Sequence, residues 1–175
     1  MLQDIREVLI SKEAIEAKTK ELAERISRDY KGKDLLVVGV LKGSVIFASE
    51  LIKNITIPCE IDFMAVSSYG SSSETTGVVR ILKDLDSEIS RKHILIVEDI
   101  VDSGVTLSYL LNYLKTRNAS SVEIASLLTK PSRRKVDIDC KYVGFETPDE
   151  FLVGYGLDYA EKYRNLPYIG IVEDV

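Results

Sequence analysis

The sequence predicts a single α/β domain in which a central parallel sheet is flanked by helices. Three short runs, at 35–41, 94–97 and 122–128, consist mostly of branched apolar residues and are typical of strands buried on both faces. Each of the first two runs is followed by a short polar turn and a helical pattern. Strands that alternate with helices in this way favour right-handed connections between parallel neighbours.

Length and composition are those of one folded domain. The 175 residues are 45% hydrophobic and 29% charged, which is enough apolar content for a sizeable core. The net charge of −5 and the lack of any run of Lys or Arg argue against nucleic acid as a partner. An anionic substrate therefore needs local help from Mg²⁺ and from a few basic side chains.

Cysteine usage and hydropathy predict the compartment. Cys59 and Cys140 lie far apart and lack the spacing of metal ligands. The N-terminus shows no signal-peptide pattern, and no apolar run is long enough to span a bilayer. We therefore expect a cytoplasmic protein with reduced thiols and no membrane partner.

Apolar spacing locates the first helix and the first strand-turn-helix unit. Ser11 is expected to cap the helix, and a Lys-Gly pair at 31–32 is expected to end it. The apolar stripe of this helix consists of Ile15, Leu22, Ile26 and Tyr30. A strand over 35–41, a polar turn at 42–44 and a helix over about 45–52 follow.

A hairpin with a long loop is predicted next. Residues 59–66 and 78–82 have the alternation and branched residues of strands. The segment between them, 67–77, is of low complexity and rich in Ser, Gly and Thr. Because such a composition buries little apolar surface, we expect a mobile loop there.

The last quarter of the chain is predicted to form a small β hood, comprising residues 131–175 together with the N-terminal segment. Short strand patterns at 142–145, 151–155 and 168–172 are separated by proline and glycine. We expect the hood to cover a core of about residues 30–130 within the same domain. Since tyrosines concentrate in this part of the chain, we also expect a homodimer or homotetramer.

The most informative stretch lies where the buried run 94–97 ends in carboxylates. Glu98, Asp99 and Asp102 lead, through Ser103 and neighbours rich in Gly and Thr, into a helix that is expected to begin within 103–105 and to run to 117. Carboxylates bind hydroxyls or a metal, and a helix N-terminus binds an anion. A cap alone needs one such residue, and three carboxylates repel each other without a ligand. The stretch therefore predicts a sugar-phosphate site.

This stretch also carries a resemblance. Residues 97–107 resemble the phosphoribosyl pyrophosphate (PRPP) motif of the type I phosphoribosyltransferases. Segments 41–44, 68–70, 130–131, 143–145 and 151–159 further resemble the hypoxanthine-guanine members of that family. The resemblance implies the type I phosphoribosyltransferase fold and a purine-salvage reaction that joins hypoxanthine or guanine, and xanthine as a further candidate, to PRPP. The products are IMP or GMP and pyrophosphate, with Mg²⁺ as the cofactor.

Two other interpretations remain open at this stage. A PRPP-sensing regulator without catalysis would keep the phosphate motif, but it needs a basic nucleic-acid surface that this acidic chain lacks. A phosphoribosyltransferase for adenine or a pyrimidine is the other alternative. Lys130 and Phe151 argue against it, because a lysine directed at the purine O6 disfavours an amino group there.

For the ribose and its 5′-phosphate, the resemblance implies roles within one loop. Glu98 and Asp99 would hold the ribose hydroxyls and share a Mg²⁺ with the pyrophosphate. Asp102, expected to be buried beside them, would exchange a proton with the purine N7. The residues implied to wrap the 5′-phosphate are Asp102, Ser103, Gly104, Val105 and Thr106.

For the base and the pyrophosphate, the resemblance implies roles in separate segments. Lys42, Gly43 and Arg164 would bind pyrophosphate, with the Leu41-Lys42 peptide typically cis. The residues implied for the purine pocket are Lys130 at O6, Phe151 as a stacking ring, Leu152 through its backbone, and Asp158 with a second Mg²⁺. Ser68 and Tyr69 would belong to a lid that excludes water from the reacting centre.

Overall fold

The computed structural model describes residues 4–68 and 79–173. Within these residues the chain forms three α-helices and nine strands. The helices are α1 (Lys12–Asp29), α2 (Val45–Asn54) and α3 (Val105–Lys115). The strands are β1 (Ile5–Ile10), β2 (Leu35–Leu41), β3 (Glu60–Ser68), β4 (Val79–Lys83), β5 (His93–Val101), β6 (Ser121–Thr129), β7 (Tyr142–Glu146), β8 (Leu152–Val153) and β9 (Ile169–Val172).

The larger sheet has six strands in the order β4-β3-β2-β5-β6-β7. All neighbours are parallel except the edge pair β3 and β4, which form the predicted hairpin. The register pairs Gly39 with Val97 and Val101 with Thr129. The carboxyl ends of β2, β5 and β6 therefore lie side by side, and the turns that follow these strands meet at one edge.

Helices cover both faces of this sheet, as the buried apolar strands predict. On β5, Leu95 and Val97 pack into the core beneath α1 and α2, whereas Ile94 and Ile96 pack into the core beneath α3. This alternation explains why the run 94–97 has no polar position. Ser11 caps α1 as expected, since its hydroxyl accepts a hydrogen bond from Ala14 N at 3.1 Å.

The strand β7 corrects the predicted hood. Residues 142–145 were expected in the hood, but β7 pairs in parallel with β6 and forms the edge of the larger sheet. Tyr142 is fully buried there and its hydroxyl donates to Asp29 of α1 at 2.6 Å. Burial against α1 outweighs the irregular spacing of the surrounding sequence, which had suggested a separate cap.

The hood is thus smaller than predicted and comprises β1 and residues 147–173. Its antiparallel sheet has the order β1-β9-β8. β1 was not predicted as a strand, because half of its residues are exposed and its partner β9 lies at the other end of the chain. The strand predicted at 151–155 is confined to Leu152–Val153, since Gly154, Tyr155 and Gly156 take positive φ angles.

None of the helices in the described part of the chain combines the length and the apolar character that crossing a bilayer requires.

Candidate active site

The carboxylates of the acidic stretch lie on β5 itself. Glu98 and Asp99 were expected in a turn, but β5 continues to Val101 because Ile100 and Val101 still pair with β6. The strand thus carries both carboxylates to the edge where the turns meet. They line a cavity of about 240 Å³, whose further residues are Val40, Val66, Ile100, Asp102, Ser103, Gly104, Thr106 and Leu107.

Burial makes the two strand carboxyls weak acids. The pKa of Glu98 is raised well above its usual range by burial and, further, by the adjacent Asp99. The pKa of Asp99 is also raised by burial, although the Ile100 N–H, 2.7 Å from Oδ1, and the charge of Arg164 oppose the shift. Ionising both groups is therefore costly unless a cation or hydroxyl donors compensate their charge.

Asp102 departs from its expected environment. Its side chain is 47% exposed as a whole, whereas its Oδ1 atom is shielded from solvent, so the predicted burial holds only for that atom, which lies 3.1 Å from Arg133 Nε. Arg133 also pairs with Asp149 at 3.3 Å. The reason is that Asp102 follows the last residue of β5, where the chain has already left the sheet. Arg133 was missed by sequence reasoning, and the only available signal was its place in the basic pair directly after the Lys130 segment.

The turn between β5 and α3 has the form of an anion cradle. Gly104 directly precedes α3 and has a left-handed φ of 86°, which glycine adopts without steric cost. The Ser103 hydroxyl accepts from Val105 N at 3.3 Å. Since the first N–H groups of a helix lack intrahelical partners, this turn supplies donors together with the positive end of the helix dipole.

The segment after β6 forms hydrogen bonds to the main chain of this cradle. Lys135 N and Val136 N donate to the Ser103 carbonyl at 2.8 and 3.1 Å. Arg134 donates to the Asp102 carbonyl at 3.2 Å and to the Thr129 hydroxyl at 2.6 Å. Arg134 therefore ties the cradle to the end of β6, a positioning contact that sequence reasoning did not predict.

The residues implied for pyrophosphate do come together. The Leu41-Lys42 peptide is cis, as the resemblance implies. Lys42 Nζ lies 3.0 Å from Glu161 Oε2, and Arg164 Nη2 lies 3.2 Å from Glu161 Oε1. Arg164 also pairs with Asp158 at 3.4 Å. Two cations from distant parts of the sequence thus share one carboxylate, Glu161, to which sequence reasoning assigned no role.

Main-chain contacts hold these segments together. A Cβ atom on Gly43 would overlap the Asp99 carboxylate, and one on Gly156 would overlap the Gly43 carbonyl oxygen. Arg164 contacts the same region, since its Nη1 donates to the Gly156 carbonyl at 2.6 Å. The turn after β2, the carboxylates of β5 and the hood are therefore in direct contact at the pyrophosphate end of the site.

The residues implied for the purine lie where β6 meets the hood. Lys130, only 8% exposed, donates from Nζ to the Glu150 carbonyl at 2.7 Å. Phe151, which follows Glu150 in the chain, is 46% exposed and packs edge-to-face against Tyr159, with ring centroids 5.5 Å apart. Leu152 is buried in β8, so its backbone rather than its side chain is available to a ligand. Tyr159 was not among the predicted site residues.

The phosphoribosyl transferase domain family matches the chain over residues 8–160. The chain belongs to this family. A hypoxanthine-guanine phosphoribosyltransferase of Bacillus subtilis (strain 168) is 54% identical to it over 173 residues, covering 99% of this chain and 96% of that protein. The enzyme of the same name from Staphylococcus aureus (strain Mu50) is 53% identical over 173 residues, covering 99% and 97%.

Solved structures agree with this membership. A crystal structure of a hypoxanthine phosphoribosyltransferase from Staphylococcus aureus has a TM-score of 0.95 at 53% identity, covering 98% of this chain and 93% of that one. A hypoxanthine-guanine phosphoribosyltransferase from Bacillus anthracis, with a HEPES molecule in its active site, has a TM-score of 0.92 at 50% identity, covering 96% and 99%. The predicted fold and the resemblance to the hypoxanthine-guanine members are confirmed.

The described residues offer few protein ligands to a metal ion. Within residues 4–68 and 79–173, no three His, Cys, Asp or Glu side chains cluster closely enough to hold a metal ion by themselves. Mg²⁺ usually takes one or two carboxylates and completes its shell with phosphate oxygens and water. Glu98, Asp99 and Asp158 are hard oxygen donors of the type that such a shared ion requires, so the donor set fits Mg²⁺ bound together with a substrate.

The predicted lid falls mostly outside the described residues. Ser68 is the last residue of β3, and Tyr69 with the remainder of the lid lies in the part of the chain that the structure does not describe. The position of β3 in the sheet, beside β2, brings the start of the lid to the same edge as the carboxylates. Closure of the lid stays a prediction.

Proposed function

We propose that the protein is a Mg²⁺-dependent hypoxanthine-guanine phosphoribosyltransferase of purine salvage. The observation that carries the proposal is the placement of Lys130, whose backbone N–H donates at 3.0 Å to the Val101 carbonyl just before the cradle and whose buried Nζ bonds the Glu150 carbonyl, next to the exposed ring of Phe151. Relatives that are more than 50% identical over nearly the whole of both chains carry this name. Because those relatives are named as enzymes, nothing favours the alternative of a non-catalytic PRPP sensor.

Binding of PRPP follows from the charges along the edge of the sheet. We assign the ribose hydroxyls to Glu98 and Asp99, since hydroxyl donors compensate two carboxyls whose pKa values burial has raised. The 5′-phosphate is assigned to the turn 102–106, where helix N–H groups and the dipole of α3 attract an anion. Bound Mg²⁺ would neutralise part of the pyrophosphate charge, with Asp99 and Asp158 as candidate ligands.

Base recognition is assigned to the hood and the end of β6. The Lys130 ammonium has only donors, so it favours a carbonyl at position 6 of the purine over the amino group of adenine. Phe151 offers an exposed ring for stacking, and the edge of β8 at Leu152 offers backbone groups to the remaining edge of the base. Tyr159 supports the Phe151 ring from the side.

The reaction transfers the phosphoribosyl group from pyrophosphate to the purine and removes one proton from the base. The C1′–O bond to pyrophosphate breaks, with both electrons leaving on oxygen, while purine N9 forms the new bond to C1′. The purine then carries one surplus ring proton, and we assign its removal at N7 to Asp102. Arg133, 3.1 Å from Asp102, positions the carboxylate. Lys42 and Arg164 stabilise the charge of the departing pyrophosphate.

The remaining features of the proposal concern the protein in its cell. We infer a cytoplasmic enzyme that acts as a homodimer or homotetramer and closes the segment 67–77 over bound substrates. Light scattering after size-exclusion chromatography measures the oligomeric state, and a monomer at micromolar concentration would contradict this part.

The deciding assay offers PRPP and Mg²⁺ with hypoxanthine, guanine, xanthine, adenine or uracil in parallel and measures pyrophosphate release. We expect turnover with hypoxanthine and guanine, none with adenine or uracil, and loss of activity when Mg²⁺ is chelated. Xanthine is included to rank the third oxopurine. Binding of PRPP by calorimetry without turnover of any base would instead identify a sensor.

A further inference from the structure

Glu161 is a charged residue at the pyrophosphate end of the site. The proposed reaction assigns it no role. Its two carboxylate oxygens are divided between two cations: Oε2 lies 3.0 Å from Lys42 Nζ, and Oε1 lies 3.2 Å from Arg164 Nη2. These are the two cations assigned above to pyrophosphate. A carboxylate of this protein therefore occupies the partners that the substrate anion needs.

The position of Glu161 is set by its turn. Tyr159 and Lys162 exchange two backbone hydrogen bonds, each of 3.0 Å, around the central residues Ala160 and Glu161. Both central residues have positive φ angles, 50° and 65°. The Glu161 N–H also donates to Asp158 Oδ2 at 2.9 Å. The turn thus fixes the backbone of Glu161 near the two cations, and the two ion pairs locate its carboxylate between them.

The electrostatic consequence is mutual. Lys42, by hydrogen bond and charge, and Arg164 after it, hold the pKa of Glu161 below its usual range, so the group is anionic at neutral pH. In return, Glu161 cancels much of the positive potential that Lys42 and Arg164 present to solvent. A pyrophosphate group must replace this internal partner before it can use either cation.

We propose that Glu161 is a built-in competitor of the pyrophosphate group, which PRPP displaces on binding and which recovers Lys42 and Arg164 as pyrophosphate leaves. This inference rests on the proposed function, because it uses the assignment of both cations to pyrophosphate. It identifies Glu161 as a residue that tunes affinity for the leaving group without touching the reacting atoms.

The expected size of the effect follows from exposure. The side chains of Lys42 and Glu161 are 68% and 63% exposed, and ion pairs in such positions are weak. The need to displace Glu161 therefore makes the affinity of the parent protein for pyrophosphate about two- to tenfold lower than it would be without this carboxylate. A purely structural role, in which Glu161 orients Arg164 for the substrate, predicts the opposite sign: removal of the carboxylate would then weaken binding.

The test compares Glu161→Gln with Glu60→Gln by calorimetric titration of magnesium pyrophosphate. Glu60 is a matched control because it forms a comparable ion pair, 2.9 Å from Lys92 Nζ, at the opposite end of the sheet. We expect Glu161→Gln to lower the Kd by about two- to tenfold at low ionic strength and by less at high salt, whereas Glu60→Gln leaves it unchanged. An unchanged or higher Kd for Glu161→Gln overturns the inference.

Two further measurements separate this inference from the proposed function. Glu161→Ala, which cannot donate or accept through its side chain, must shift the Kd in the same direction as Glu161→Gln. The Kd for IMP, which carries no pyrophosphate, must stay unchanged in both variants. If the parent protein binds PRPP and pyrophosphate but neither variant binds more tightly, only the role of Glu161 fails. If the parent binds neither anion, the proposed function fails as well.

Discussion

The two halves of the site are built in contrasting ways. The stretch 98–106 comprises the end of β5 and the turn that follows it, and β5 is a central strand with packed cores on both faces of its sheet. The hood segment 151–164 rests on a strand of two residues and on turns. Its residues with positive φ angles are Gly154, Tyr155, Gly156, Ala160, Glu161 and Tyr163. The part of the site to which we assign the sugar phosphate thus rests on packed regular structure, and the part to which we assign the base rests mainly on turns.

Charge follows the same division. The carboxyls of β5 are desolvated, and burial raises the pKa of both Glu98 and Asp99. The charges of the hood are paired in solvent, as the exposed ion pair between Lys42 and Glu161 illustrates. Substitutions on the strand side should therefore change rates and stability, whereas substitutions on the hood side should change preference and affinity.

The largest expected effect is on the strand side. Asp102→Asn should lower kcat by about 10²–10⁴-fold, because the amide cannot accept the purine proton. The matched control is Asp149→Asn, which removes the other carboxylate that pairs with Arg133 at 3.3 Å. Turnover under saturating substrates measures both. Parental turnover in Asp102→Asn would remove this residue from proton transfer and weaken the contrast.

Lys130→Gln should give the next largest effect, and it should appear as altered preference. An amide can accept as well as donate, so the kcat/KM ratio of hypoxanthine to adenine should fall by about 10–100-fold, the range for a hydrogen bond to a charged group. Because Lys130 is 8% exposed, the ratio is more informative than the rate alone. Lys20→Gln, on the exposed side of α1, is the control, and an unaltered ratio in Lys130→Gln counts against the O6 contact.

Glu98→Gln should raise stability while impairing PRPP binding. A carboxyl whose pKa is higher in the folded than in the unfolded protein destabilises the fold as pH rises through that raised pKa, and has no such effect below the unfolded value. The free energy of unfolding of the variant should therefore exceed that of the parent by about 0.5–2 kcal/mol at pH 8 and by little at pH 4. Each kcal/mol corresponds to a rise of about 2–4 °C in Tm.

Thermal melting at the two pH values measures this gain. Glu60→Gln, whose side chain is 53% exposed, serves as the control and should melt like the parent at both. A lower Tm for Glu98→Gln at pH 8 would show that its charge is already compensated within the fold, and the contrast between the halves would lose its electrostatic basis.

The smallest expected effect belongs to Leu152→Val. If the base is read through the backbone of β8, the preference between hypoxanthine and guanine should change by less than about twofold. Stability should fall by about 0.5–1.5 kcal/mol for the lost methylene, because the Leu152 side chain is 6% exposed. Competition assays with both bases measure the preference. A strong shift would mean that the side chain itself shapes the pocket.

An element could be predicted from the sequence when residues that are close together in the chain are enough to specify it. The strands β2, β5 and β6 and the Ser11 cap were predictable because a buried run or a single hydroxyl suffices to specify them. The strand β1 was not, because its partner β9 is remote in sequence. β7 was placed in the hood because no local pattern shows that Tyr142 is buried against α1.

The site divides in the same way. Residues in motifs, such as Lys42 and Asp99, were identified, whereas Arg133 and Glu161 act through ion pairs between distant segments that spacing does not reveal. Full burial of Asp102 was inferred from its nearness to a buried strand. Its side chain is partly exposed because Asp102 follows Val101, the last residue of β5.

The contact between Gly156 and the Gly43 carbonyl has a consequence for protein engineering. At Gly156 the hood lies so close to the main chain of Gly43 that a Cβ atom on Gly156 would overlap the Gly43 carbonyl oxygen. A hood transplanted from a relative with a different base preference should dock correctly only when it brings glycine to position 156 and finds glycine at 43. Saturation libraries at these two positions should return glycine alone.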